Sequence, residues 1–448
     1  MTRTAAGRTS RRDFLRWAAG AAAFGPFFLF PQRALASQKT LKIAKWAHFL
    51  PEFDQWFVNV LAKEWGLKND TQVTVDLIPV ERVSASAKAE VKAGKGHDVF
   101  MFPWPPSEYY PHVIDHGEIY QAVLGKYGQI DFMGHRSTFY PKAQKRFAFA
   151  DSWIPAPFEY FEDCWAEVGM PAGPGTYVSL HSGGKRIKDK MGIPCGLTFA
   201  PTLEGNITSH ILLVGFGGAV LDVEGNILLD KGVRTLAALA YAKRLHQEAG
   251  TPEQLGWGPS DNVRNMLAHK ASCTINGISL SRKAEKENPD VAKRIRLQPP
   301  LLGSAGAGIA AVPHVTNCSA VWNFSRNQDG AKKFLADLLD NSKTAYEKSQ
   351  GCNFPFFQKA VPDLVARLEK DPQADPPYKY MELKDALHWS HDLGVPGYAT
   401  PAFMEVFNTF VIPRMFMSVL KGDLSLQDAT SVAAKEVQRI ADKWKQIS

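Results

Sequence analysis

Leu41-Lys-Ile-Ala-Lys-Trp46, Thr71-Gln-Val-Thr-Val-Asp-Leu-Ile78 and Asp98-Val-Phe-Met-Phe102, with the residues between them, decide the fold. The first segment is a short apolar strand. The second alternates and is rich in β-branched residues, and the third is a buried run stopped by Pro103-Trp-Pro-Pro106. Between the first two, residues 54–65 repeat with a helical period that gathers Trp56, Phe57, Val60, Leu61 and Trp65 on one side. Between the second and third, residues 84–92 are Ala-rich and are followed by Gly94 and Gly96, a helix and its stop. Strand, helix, strand, helix, strand predicts right-handed βαβ units on a largely parallel sheet. On such sheets ligands sit at the carboxyl ends of the strands. Ala47, His48 and Phe49 follow the first strand, and Pro103 and Trp104 follow the third.

Outward from this core the chain continues as an α/β protein. Residues 152–158, Ser-Trp-Ile-Pro-Ala-Pro-Phe, read as a linker into a second unit. A long apolar segment covers 203–221, with Glu204 and Asn206 at its start. Residues 223–229 read as a hairpin around an acid-Gly-Asn turn, 233–249 as an amphipathic helix, and 271–277 as a short strand ending in Asn276-Gly277. A glycine-rich loop, 303–308, leads to the apolar run 309–312. Helices are predicted over 329–339 and 426–444.

The chain has 448 residues, 45% of them apolar and 22% charged, which excludes disordered, collagenous and coiled-coil classes. Its net charge of +7 is unevenly placed. Residues 1–36 hold six Arg against one Asp, a net +5 that leaves +2 for the other 412 residues. The folded body therefore lacks the charge of a nucleic-acid binder.

Ser10-Arg11-Arg12-Asp13-Phe14-Leu15-Arg16 resembles the twin-arginine export motif. A short apolar stretch from Trp17 to Phe30 and an Ala34-Leu35-Ala36 cleavage site follow. The apolar stretch is too short for a helix to cross about 30 Å of hydrocarbon. The expected product is an exported protein cleaved after Ala36, in the periplasm. Five Cys at wide spacing fit one or two disulfides or buried thiols, and show no haem or zinc pattern.

Later segments add a family resemblance. Ala93-Gly-Lys-Gly-His-Asp-Val99, Phe161-Glu-Asp-Cys-Trp-Ala-Glu-Val-Gly-Met-Pro171, Gly217-Gly218, Phe324-Ser-Arg-Asn-Gln-Asp-Gly-Ala-Lys-Lys-Phe-Leu335 and Val419-Leu-Lys-Gly-Asp-Leu-Ser-Leu-Gln-Asp-Ala429 occur in order. Together they resemble the family 1 extracellular solute-binding proteins of ABC importers, a group with many sugar binders. The family's common Tyr-Asn pair is replaced near Tyr160-Phe161-Glu162-Asp163, and 303–320 is unusual. The resemblance implies a type II-like periplasmic-binding fold of two α/β lobes joined by crossing hinge strands. An N-lobe of 37–150 plus about 305–351 would face a C-lobe of 151–304 plus about 352–448. It also implies a monomer without enzymatic activity, which closes on a small solute and docks on the membrane subunits of an ABC permease after passage through the twin-arginine machinery.

A carbohydrate or polyol needs flat aromatic rings and fixed polar groups. The aromatic candidates at strand ends and loops are Trp46, Trp104, Trp153, Phe158 and Trp257. The polar ones are His48, Glu204, Asn206, Asn276, His314 and Asn353. A polyamine, a phosphorylated polyol or another small organic solute is the alternative on the same scaffold. An anionic solute needs cleft cations, and Lys45, Arg82 and Arg136 are the available ones. An exported polysaccharide-acting enzyme is the alternative of a different class. His112/His116 and His388/His391 lack the acid and third ligand of a metal site, and 303–308 is neither a P-loop nor a dinucleotide fingerprint, so no metal or cofactor is expected.

Overall fold

The computed structural model describes residues 39–229, 232–303 and 311–447. The export signal lies outside the described residues, as does most of the glycine-rich loop. Among the described residues no single helix is long and apolar enough to cross a membrane.

Two sheets organise the molecule. The larger uses β1 (Lys39–Trp46), β2 (Thr71–Ile78), β3 (Val99–Phe102), β4 (Phe149–Ile154), β8 (Val315–Val321) and β9 (Phe354–Pro355). The smaller uses β5 (Phe158–Phe161), β6 (Cys273–Ile275) and β7 (Ile295–Gln298). The orders are β9-β4-β8-β3-β1-β2 and β6-β5-β7. The first three strands are parallel, with Ile43 facing Val75 on one side and Val99 on the other. β8 then runs antiparallel to both β3 and β4, so the sheet is mixed rather than largely parallel. β1 and β3 are central and covered on both faces, which is why they read as apolar runs. β2 is an edge strand and alternates.

Other expectations shift locally. The segment 152–158 is strand at both ends, and only 155–157 link the two sheets. The first helix runs as Pro51–Trp56, a π turn Phe57–Leu61, and Ala62–Lys68. The extra residue in that turn rotates the helix face. Val60 therefore points outward at 39% exposure while Trp56, Phe57, Leu61 and Trp65 stay buried. The expected hairpin at 223–229 is a turn with one isolated bridge, Leu221 to Ile227. Asp222 Oδ1 accepts the N–H groups of Glu224 and Asn226 inside the turn, and backbone bonds cross it from the Asp222 N–H to the Asn226 carbonyl and from the Leu228 N–H to the Val220 carbonyl. All five Cys are buried and unpaired. His116 is core: its Nε2 accepts the Val321 N–H, and burial pushes its pKa down to about 4.

The turn into β3 carries a pH-sensitive cluster. His97 Nδ1 lies 2.5 Å from Glu90 Oε1 and its Nε2 lies 2.9 Å from Asp76 Oδ2. Glu90 Oε2 also accepts the His97 N–H and Trp322 Nε1–H. Burial works against the imidazolium, but the two carboxylates outweigh it and raise the pKa. A raised folded-state pKa adds stability that is complete below the unfolded value of about 6.5 and is lost as pH rises through the folded value. His97→Gln is therefore expected to cost most stability below about pH 6.5 and progressively less as pH rises above it, read by denaturant unfolding across a pH series. A cost independent of pH would contradict the charged pairing.

Candidate functional site

The carboxyl ends of β1, β2 and β3 lie side by side, and the loops leaving them build one wall of a cleft. Phe49 follows β1, Val80 and Glu81 follow β2, and Trp104 follows β3. The facing wall is the start of helix Leu203–Gly215, with Pro259-Ser260 and Phe407, Asn408 and Phe410. A chamber of about 560 Å³ lies between them. A second chamber of about 300 Å³ adjoins it, lined among others by Asn276, Arg282, His314 and Gln350. Phe49, Glu204 and Ser260 line both chambers and so form the partition.

Local chemistry sets each wall. Helix Leu203–Gly215 begins where the Thr202 side chain accepts the Gly205 N–H. That start places Glu204 and Asn206 at the chamber. A Cβ on Gly205 would come within 1.9 Å of the Ala200 carbonyl oxygen, so glycine there lets the helix enter this closely. Ser260, Phe410 and Gln350, all non-glycine, hold left-handed φ of 60°, 56° and 51° and all line the cleft. Such backbone costs on the order of 1–3 kcal/mol each and concentrates where surrounding structure fixes a site.

The candidates divide. Trp104, Glu204 and Asn206 line the larger chamber; Glu204, Asn276 and His314 line the smaller one. Trp46, His48, Trp153, Phe158, Trp257 and Asn353 line neither chamber. Trp153 and Phe158 are fully buried core, Trp153 with its ring centroid 5.9 Å from Phe354 and 6.2 Å from Phe356. Trp257 is half-buried beside Gly196. Trp46, His48 and Asn353 form a buried shelf behind Phe49. Trp46 Nε1 donates to Asn317 Oδ1 at 3.0 Å. His48 Nδ1 accepts the Leu50 N–H, so its Nε2–H donates to Asn353 Oδ1 at 3.2 Å. Burial, with help from the nearby Lys45 charge, pushes the His48 pKa down to about 3 and keeps it neutral. Phe49 rests on this shelf, its centroid 5.4 Å from both Trp46 and His314. Phe49, Ser260, Phe407, Asn408, Phe410 and Gln350 complete the walls, and only Phe49 was marked by its place after a strand.

Several polar atoms on these walls have no protein partner. Glu204 is 7% exposed and Asn206 1%; Glu204 Oε2, Asn206 Oδ1 and His314 Nδ1 are unsatisfied. Burial pushes the His314 pKa down to about 4, so it is neutral. Glu204 Oε1 accepts the Ser260 N–H at 3.2 Å, and Asn206 Nδ2 donates to the Phe407 carbonyl at 2.9 Å. Trp104 and Phe407 face each other with centroids 6.2 Å apart. Lys286 pairs with Glu52 across the rim of the smaller chamber.

A group of metal-ligand types, Asp163, Cys164 and His269, lines neither chamber. Arg294 Nη2 sits 2.7 Å from His269 Nε2 and pairs with Asp163, so a guanidinium already supplies the positive charge there.

No protein-family model and no curated protein matches the chain. Solved structures do. An ABC-transporter solute-binding protein of Thermotoga lettingae bound with α-D-tagatose is 19% identical, with TM-score 0.73, over 90% of this chain and 100% of that one. The maltose-bound MalE3 of T. maritima is 18% identical with TM-score 0.72, over 90% and 99%. A ribitol complex from Agrobacterium radiobacter is 18% identical with TM-score 0.67, over 90% and 98%. The chain thus has the two-lobe α/β fold of the solute-binding proteins of ABC transporters.

Proposed function

We propose that this protein is the substrate-binding component of an ABC importer, and that it captures a carbohydrate or polyol in the cleft around Phe49 and hands it to a membrane permease. The observation that carries the reading is the cleft itself: aromatic faces from both walls, buried unsatisfied polar atoms, and strained backbone at the same place. The lobes are centred on the six-stranded and three-stranded sheets, with crossings at 155–157, between 298 and 315, and after 355. Export by the twin-arginine route, with cleavage after Ala36, delivers the chain to the periplasm as a monomer without enzymatic activity.

The test is thermal unfolding of residues 37–448 against a library of sugars and polyols. A ligand at one hundred times its Kd stabilises a binder by about 2.7 kcal/mol. A selective upward shift without chemical change in the ligand is the expected result. Conversion of a glycan instead would support the enzyme alternative. Trp104→Ala is expected to weaken the hit by about 5- to 50-fold, since one stacked ring gives about 0.5–1.5 kcal/mol beyond its burial. It should leave the unliganded midpoint nearly unchanged, because Trp104 is only half-buried. Unchanged affinity by calorimetry would remove Trp104 from the site.

A further inference from the structure

We infer that the solute taken by the larger chamber carries a protonated amine, as an amino sugar or amino polyol does, and that Glu204 receives it. This rests on the cleft reading above and narrows it.

The chamber's charges are the starting point. Glu204 and Glu81 line it, and no Lys or Arg is among its lining residues. The three cations that an anionic solute would call on are elsewhere. Lys45 is buried against Asp54, Arg136 pairs with Asp392, and Arg82 is exposed outside the lining. In the smaller chamber Arg282 is held by Asp371 and Glu285, and Lys286 by Glu52; Lys283 is exposed. Glu204 is therefore nearly buried and forms no ion pair among the described residues, and the one cation on either chamber that is not held by an acid, Lys283, is exposed on the smaller one.

Hydrogen bonding points the same way. The amide donors nearby are already used: Asn206 Nδ2 by the Phe407 carbonyl, Asn408 Nδ2 by Glu108, and the Ser260 N–H by Glu204 Oε1. What remains open and buried are acceptors, Glu204 Oε2 and Asn206 Oδ1. Buried acceptors without a donor are costly, and an ammonium brings three donors together with a charge that a carboxyl group attracts. Phe49, Trp104, Phe407 and Phe410 supply ring faces around the same space. Aromatic faces attract a cation as well as they cover the C–H face of a sugar. A neutral polyol meets the donor requirement but brings no charge to the Glu204 carboxyl group.

Matched pairs test this in the mature protein: glucosamine against glucose, and 1-amino-1-deoxysorbitol against sorbitol, by calorimetry at pH 6. The amine is expected to bind about tenfold or more tightly than its neutral partner. Glu204→Gln should abolish that preference. N-acetylglucosamine, which keeps the skeleton and loses the charge, should bind no better than glucose, and this control does not depend on a variant folding. Equal or tighter binding of the neutral members, or a preference that survives Glu204→Gln in a folded variant, would overturn the inference. A library hit confined to neutral sugars would also overturn it while leaving the uptake reading in place. If no sugar, polyol or amine binds at all, the cleft reading fails and the inference fails with it.

Discussion

Asp54→Ala is expected to destabilise the protein by about 3–5 kcal/mol, the usual penalty for stripping one partner from a buried ion pair. Lys45 Nζ lies 2.5 Å from Asp54 Oδ1, and the residues are only 3% and 6% exposed. Burial lowers the Lys45 pKa, and the Asp54 carboxylate works against that shift. The ammonium also donates to the Trp46 carbonyl at 2.9 Å and sits 5.0 Å from the Phe53 ring centre. Asp54 Oδ2 in turn accepts the His48 N–H at 2.8 Å. One carboxylate therefore neutralises a buried cation and also fixes the turn that presents Phe49 to the cleft. Without it, Lys45 must shed its proton or draw water inward, and the His48 amide loses its partner.

The double variant Lys45→Met/Asp54→Asn separates these effects. It removes both charges but keeps an acceptor for the His48 N–H. It should be more stable than Asp54→Ala alone, measured by denaturant unfolding. If Asp54→Ala unfolds within about 1 kcal/mol of the wild type, the pair does not bear on stability as argued. Ligand affinity should fall in Asp54→Ala beyond the effect on stability, because Phe49 partitions the two chambers.

How far the sequence reveals this arrangement depends on which physical signal each residue leaves. β1, β2 and β3 were legible because a central strand reads as an apolar run and an edge strand alternates. The helix ending at Gly94 was legible because its φ of 58° suits glycine. Phe49 and Trp104 were legible as positions, since ligands collect beyond the carboxyl ends of parallel strands. The π turn at Phe57–Leu61 was not, because a single inserted residue leaves no compositional mark and simply turns Val60 outward. Trp153 shows the limit for aromatic residues. A tryptophan at a strand end satisfies the same pattern whether its ring meets a ligand or, as here, meets Phe354 and Phe356. The facing wall was the least visible. Ser260 and Phe410 hold left-handed backbone without glycine, and they reach the site from positions 150 residues apart in sequence. Only tertiary packing brings them opposite Phe49.

The same distinction governs Arg282, which lies in the short helix Ser279–Glu287. In the structure it is 2% exposed. Its Nε donates to the Gln350 carbonyl at 2.5 Å, Nη1 to Glu285 at 3.0 Å, and Nη2 to Asp371. Its guanidinium stacks 4.0 Å from the centre of the Tyr380 ring. Four separate segments of chain thus meet on one planar group, and two of them, through Arg282 and Gln350, line the smaller chamber. Arg282→Met keeps the stem and removes the charge. It leaves Asp371 unpaired and Glu285 with Lys379 and the Tyr380 hydroxyl. The expected loss is about 3–5 kcal/mol. Arg282→Lys restores the charge but not the fork or the flat stacking face, so it should cost less, on the order of 1–3 kcal/mol. The ordering of the two variants separates charge from shape. If lysine is as damaging as methionine, the planar geometry that joins Gln350, Glu285, Asp371 and Tyr380 is the stabilising feature. If methionine is tolerated within about 1 kcal/mol, the network does not hold these segments together. The strained Gln350 backbone, tied to the guanidinium through its carbonyl, links this stability to binding: variants that release it should also weaken whatever ligand occupies the smaller chamber.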